Sequence, residues 1–307
     1  MPQRKLISFD WAMKRLLRSK ANFEVLEGFL SELLKQNIQI LEVLESEANK
    51  ETLSDKFNRV DLKVKTNQDE IIIIEVQFER EFDYLQRILY GVAKVITEHM
   101  KESVSYASVI KVISVNILYF DLGHGDDYIY HGTTRFQGLH RHDELKLNLT
   151  QQALFAKQAI ADIYPEYYLL KINQFDDIAR DTLDEWIYFL KNEEIKDEFS
   201  AQGLKKAKEV LDILKLSEAD RQAYERYSDD LRYQASMIES SYGVGRMEGR
   251  KEGKQEGRQE GKLAERRRIA VSLLDVIDDD SIMAEKTGLT LEQVKQLREE
   301  KKSGQYE

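Results

Sequence analysis

The chain has 307 residues, 42% of them hydrophobic and 33% charged, which leaves ample apolar surface for a core and is far from the composition of a disordered chain. With no cysteine and two prolines, Pro2 and Pro165, it excludes disulfides, thiolate zinc sites and thiol nucleophiles while letting long helices run uninterrupted. A net charge of −10 argues against a general nucleic-acid coat protein, so any polyanion site must be local.

Taken in order, residues 9–45 place Trp11, Leu16, Leu17, Phe23, Leu26, Phe29, Leu30, Leu33 and Leu34 at spacings of three and four, predicting one or two amphipathic helices. RVDLKVKT (59–66) alternates polar and apolar, and IIIIEVQF (71–78) is β-branched and apolar; with NQDE between them they read as a β-hairpin. Helical spacing returns through Leu85, Ile88, Leu89, Val92 and Ile96, and 109–121 reads as another buried strand. Shorter strands are expected at 127–136, 144–150 and 167–173. The fold class is therefore α/β, a mixed sheet with helices packed on it. Apolar runs are no longer than a strand and MPQRKLISFD lacks a signal segment, so we expect a cytoplasmic protein with no membrane partner.

Strand signals stop near residue 178, and a helical region is expected over 178–242. Over 243–265 glycine recurs every fourth residue, at Gly245, Gly249, Gly253, Gly257 and Gly261, as either a flexible linker or a helix with a glycine stripe. Glycine costs a helix about 1 kcal/mol relative to alanine, so a helical repeat calls for packing against a neighbour, which points to a homo-oligomer. In the tail, 266–307, Ala284, Gly288 and Val294 have helix-turn-helix spacing. Glu292, Glu299 and Glu300 deny the second helix the basic bias of a DNA reader.

The hairpin carries the chemistry. A three-residue loop, Asn67–Asp69, sets Asp61 directly opposite Glu75 and Arg59 opposite Gln77, whereas a two-residue loop would separate them onto opposite faces. Opposed carboxylates beside so apolar a strand repel one another, so something positive should sit between them. Two carboxylates are how Mg²⁺ is commonly held, and such an ion activates water and neutralises phosphate charge. Arg80 and Arg87, after the second strand, are candidates for phosphate contact, as is Arg59. Asp10 reads as a helix cap or a further polar group at the metal. His140 and His142 have His-x-His spacing but no evident third ligand, and read as a surface loop.

Helix, hairpin with Asp on its first strand and Glu-x-Gln on its second, helix, strand: this order resembles the PD-(D/E)XK nuclease superfamily, and most closely its recombination-promoting, transposase-like branch. The residues that carry the likeness are Asp10–Lys14 (DWAMK), Arg59-Val60-Asp61, Glu75-Val76-Gln77 with Arg87 and Tyr90, the Glu-Gly-Arg/Lys repeat and the IMAEKTGLTLEQVKQL ending. The resemblance implies a restriction-endonuclease-like core over 1–177 followed by the helical C-terminal region. It implies cleavage of DNA with Mg²⁺ or Mn²⁺ held by Asp61 and Glu75. Gln77 stands where the superfamily usually has lysine; an amide orients water but supplies no positive charge, and Lys63, on Asp61's face, is the expected substitute. Two alternatives stay open: a non-catalytic, oligomeric nucleic-acid-binding or regulatory protein that keeps the fold, and a nuclease whose substrate is RNA.

Overall fold

The computed structural model describes residues 6–44, 60–100 and 105–302. In chain order the main elements are α1 (Phe9–Arg15), α2 (Phe23–Leu34), β1 (Ile40–Leu44), β2 (Leu62–Thr66), β3 (Ile71–Gln77), α3 (Tyr84–His99), β4 (Val112–Leu118), β5 (Ile129–Gly132), α4 (Leu149–Phe155), β6 (Glu166–Lys171), α5 (Thr182–Asn192), α6 (Leu204–Val210), α7 (Glu218–Leu273), α8 (Asp280–Thr287) and α9 (Leu291–Lys302). They form two compact units, Met1–Tyr227 and Ser228–Glu307.

The first unit is built on a six-stranded mixed sheet, ordered β1-β2-β3-β4-β6-β5. The β1-β2-β3 side is antiparallel, β3-β4-β6 is parallel, and β5 returns antiparallel on the edge. This explains the four consecutive isoleucines: β3 is covered on both faces, and such strands are apolar throughout rather than alternating. Ile72 and Ile74 point into the larger core with Phe9, Phe29, Trp186 and Phe189. Ile71 and Ile73 pack under α3 against Val92 and Val95.

The hairpin turns as its sequence predicts. Thr66 N–H donates to the Glu70 carbonyl at 3.0 Å and Asp69 N–H to the Thr66 carbonyl at 3.2 Å, with Asp69 left-handed at φ 57°. This three-residue loop fixes Leu62 opposite Ile74 and Lys63 opposite Ile73. A slip of one residue would turn every side chain of β2 to the wrong face.

Two expectations are corrected. Residues 40–44 are a strand, not helix: Lys35 adopts a left-handed conformation and stops α2, and ILEVL then pairs with β2. Residues 144–150 are not a strand, because only Glu144 bridges, to Gln137. Asn148 instead opens α4 with a capping box to Gln151, the Asn-x-x-Gln helix start.

The first unit also runs past residue 178. Phe9 packs edge-on to Phe29, Trp186 and Phe189, so α5 belongs to the sheet's own core. Close approach makes this possible: a Cβ on Gly28 would lie 2.3 Å from the Gln202 carbonyl oxygen.

In the second unit α8 ends at left-handed Gly288, and Ala270, Leu274, Met283, Val294 and Leu297 form its core. After Gly288 the chain continues into α9. Of the two readings of the glycine repeat, the chain takes the helix, since α7 runs through it for 56 residues.

Candidate active site

Asp61 lies one residue before β2 and Glu75 near the end of β3. The observed register, continued by one pair, brings them opposite each other. Asp61 is fastened there: its Oδ2 accepts from the Val76 N–H at 2.8 Å, and its own carbonyl accepts from Arg18 at 2.8 Å. Glu75 is paired across the parallel ladder with Asn116 of β4. Asn116 is itself held by the Tyr84 hydroxyl at 3.2 Å and by Ser114 Oγ at 3.0 Å, so a rigid polar floor adjoins the carboxylate.

Each carboxylate has a cation beside it, supplied by a different helix. Lys14 of α1 places its ammonium 3.5 Å from Asp61 Oδ1 and 2.7 Å from Asp10 Oδ1. Arg87 of α3 lies 2.5 Å from Glu75 Oε1 and 2.6 Å from Glu81 Oε1. Glu81 also accepts from the Gln77 amide at 3.0 Å, and Gln77 donates a second bond to the Glu79 carbonyl at 3.3 Å.

Three expectations for site residues change here. Lys63 pairs with Ile73 in the hairpin, but its ammonium is bound to Glu98 of α3 at 3.2 Å, and it is Lys14 that stands beside Asp61. Asp10 is not a cap: it is inside α1, 3% exposed, bonded to Lys14 and accepting from the Tyr227 hydroxyl. Arg87 is already engaged by two carboxylates. Arg80 is exposed with its guanidinium 5.3 Å over the Phe82 ring, Arg59 lies outside the described residues, and His140 and His142 are exposed in a loop.

Glu81 and Tyr227 join the site as partners of Gln77 and Asp10. Glu81 follows the Glu-x-Gln motif closely enough to have been weighed as a partner of Gln77. Tyr227 lies 217 residues from Asp10, and nothing local signals that contact.

Carboxylates outnumber the two cations that touch them, and their titration shows it. Burial pushes Glu75 up to about 7, against the Arg87 charge, with Asp61 and Glu81 adding to the rise. Burial also raises Asp61, against Lys14 and the Val76 N–H. Burial lowers Lys14, but Asp10 and Asp61 outweigh it and hold the ammonium above its ordinary value. Glu75 is thus a buried acid whose ionised form added positive charge would favour.

The donors suit a hard divalent cation. Among the described residues no three His, Cys, Asp or Glu side chains converge as a complete ligand set. Mg²⁺, however, is commonly held by one or two carboxylates with waters and substrate phosphate oxygens completing the octahedron. Buried Glu75 Oε1 has an ion pair but no aligned hydrogen bond, an acceptor that such an ion would satisfy.

No curated protein and no solved structure matches the chain. A family model does match, over residues 7–241, a span that holds α1, the whole sheet and Tyr227. The chain therefore belongs to the PD-(D/E)XK nuclease family transposases.

Proposed function

We propose that this protein is a cytoplasmic, metal-dependent endodeoxyribonuclease of the transposase-like kind, hydrolysing DNA phosphodiester bonds. The observation that carries the reading is the Asp61–Glu75 pair, matched across the hairpin, with Glu75 buried and raised to about 7. A structural carboxylate is normally buried with enough partners to stay ionised; one that is not is poised for a cation.

Asp61 and Glu75 would hold Mg²⁺ or Mn²⁺, which supplies charge neutralisation and water activation when bound. Asp61 keeps its orientation through the Val76 N–H, and Glu75 through the β3–β4 ladder. Gln77 orients the attacking water, exchanging its bond to Glu81 for one to that water. Arg80, exposed after β3, and Arg59 meet neighbouring phosphates of the substrate, and Arg87 neutralises Glu75 and Glu81.

The test is nicking of supercoiled plasmid by the full chain, with Mg²⁺, Mn²⁺ or chelator, wild type beside Asp61→Ala. Metal-dependent cleavage that falls to the chelator background in Asp61→Ala supports the reading. Equal behaviour of the two proteins rejects it. A non-catalytic nucleic-acid-binding protein would then be preferred, a reading favoured by the Gln77 amide already being committed to Glu81 and Glu79.

We also propose self-association along α7. A Cβ placed on Gly245, Gly249, Gly253, Gly257 or Gly261 meets nothing within 4 Å, leaving the stripe open to another helix. Replacing Gly249, Gly253 and Gly257 by alanine improves helix propensity by about 1 kcal/mol each yet blocks close approach. Sedimentation should therefore show loss of the oligomer; an unchanged mass would reject the proposal.

A further inference from the structure

The charge that Gln77 cannot supply must come from a side chain able to reach the reacting phosphate, and the site offers few. Lys63 is bound to Glu98. Arg87 is divided between Glu75 and Glu81 at 2.5 and 2.6 Å. Arg18 reaches Asp61 through the main-chain carbonyl rather than the carboxylate.

Lys14 also touches two carboxylates, Asp10 and Asp61, but its side chain is more exposed than that of Lys63 or Arg87. It comes from α1 rather than from the hairpin, its ammonium lies 3.5 Å from the Asp61 carboxylate, and its side chain is 44% exposed. It is also held in place. Asp10, one helical turn earlier, grips the ammonium with both oxygens, at 2.7 and 3.0 Å. Asp10 is 3% exposed and is fixed from its far side by the Tyr227 hydroxyl. An ammonium has three donors; the contact to Asp61 is the longest of its carboxylate contacts, at 3.5 Å, and is the one a substrate oxygen would replace. A buried, hydrogen-bonded aspartate that aims an exposed lysine at a second carboxylate is a costly arrangement for mere surface polarity.

We infer, on the strength of the nuclease reading, that Lys14 is the cationic catalytic residue of this site: it donates to a non-bridging oxygen of the scissile phosphate, the role Gln77 cannot fill, with Asp10 and Tyr227 as its positioning residues. No proton changes hands in this role. The lysine stays an ammonium and stabilises the negative charge that builds on the phosphate as the water oxygen attacks and the leaving oxygen departs.

The experiment uses the full chain and two readouts. Single-turnover cleavage of a labelled duplex at saturating Mn²⁺ is measured for wild type, Lys14→Met, Lys14→Arg and Asp61→Ala; Mn²⁺ affinity without DNA is measured by titration. Lys14→Met should cleave about 100-fold more slowly, the scale of losing one preorganised donor to the transition state. Its Mn²⁺ affinity should shift by less than about 10-fold, the least expected when a group that orients a metal ligand is lost. Lys14→Arg should recover part of the rate.

If Lys14→Met cleaves like wild type, or if Mn²⁺ affinity drops in step with cleavage, the inference is overturned, because the lysine then only props up Asp61. Should Lys14→Met fail to fold, Lys14→Gln keeps donors for Asp10 without the charge and must show the same split. A wild type that cleaves no better than Asp61→Ala removes the nuclease reading itself. A cleaving wild type with an equally active Lys14→Met removes only this inference.

Discussion

Glu75 and Glu166 stand on β3 and β6 of one sheet, each with a cation 2.5 Å from a carboxylate oxygen, and their titrations move in opposite directions. Burial pushes both up. At Glu166 hydrogen bonds from Lys111 and from His131, at 2.5 and 3.0 Å, overcome burial and hold the carboxyl below its ordinary value. At Glu75 the Arg87 charge fails to overcome it, and Asp61 and Glu81 add repulsion. Contact distance does not decide the outcome. Sharing alone does not decide it either, since Lys111 also reaches Glu70 at 4.0 Å; Glu166 draws hydrogen bonds from two donors, whereas Glu75 has one cation and two negative neighbours. One sheet thus compensates Glu166 and leaves Glu75 short of positive charge, which is the imbalance on which the proposed site rests.

The largest effect that would break this contrast is on Glu75. A carboxyl raised in the folded state binds more protons than in the unfolded chain, so the stability it contributes is present below about pH 4.5 and is lost as pH rises toward 7. The cost at pH 8 without metal is about 3 kcal/mol. Glu75→Gln should therefore be the more stable protein in chelator at pH 8, by up to that amount, with the advantage vanishing near pH 4.5. Added Mg²⁺ should reverse the order, because only wild type gains from the ion. Urea midpoints at the two pH values check this; a constant offset between the proteins would show that Glu75 is not raised.

Glu166 should behave oppositely, with a smaller effect. Its stabilisation is present above its unfolded value and is lost as pH falls through the lowered one. Glu166→Gln should cost about 2 kcal/mol at pH 7 through weakened charged hydrogen bonds, and cleavage should be untouched, since the residue lies in a separate cluster with Lys111 and His131. An altered cleavage rate in a folded Glu166→Gln protein would contradict the separation of the two clusters.

The sequence shows some of this contrast and hides the rest for identifiable reasons. The hairpin register is legible because β-period and loop length are local: a loop of Asn67, Gln68 and Asp69 leaves one register, Leu62 opposite Ile74, which continued by one pair sets Asp61 opposite Glu75. The isoleucine run likewise announces a strand covered on both faces. Which ammonium serves Asp61 is not legible from spacing: Lys14 stands in the DWAMK segment that carries the family likeness, but only the tertiary structure sends it to Asp61 and Lys63 to Glu98. Tyr227 is illegible for the same reason. Residues 144–150 mislead because alternation alone does not make a strand without a neighbour to pair with, and the capping pattern of Asn148 and Gln151 was the better signal. Strand signals ending near 178 mark the end of the sheet but not of its core, because Trp186 and Phe189 complete that core from a helix.

The finest test turns one cluster into the likeness of the other. Glu81 takes one arm of Arg87 at 2.6 Å and repels Glu75, so Glu81→Gln both frees the guanidinium for Glu75 and removes a negative neighbour. Each change favours the ionised form, and the Glu75 titration should move below about 7 toward the behaviour of Glu166. The Glu81→Gln amide can still accept from Gln77, so the loop after β3 keeps its shape and the shift reports charge alone. Carbon-detected NMR of the Glu75 carboxyl in chelator reads it directly. An unmoved titration would mean that burial alone sets Glu75, and that sharing Arg87 does not distinguish the two ends of the sheet.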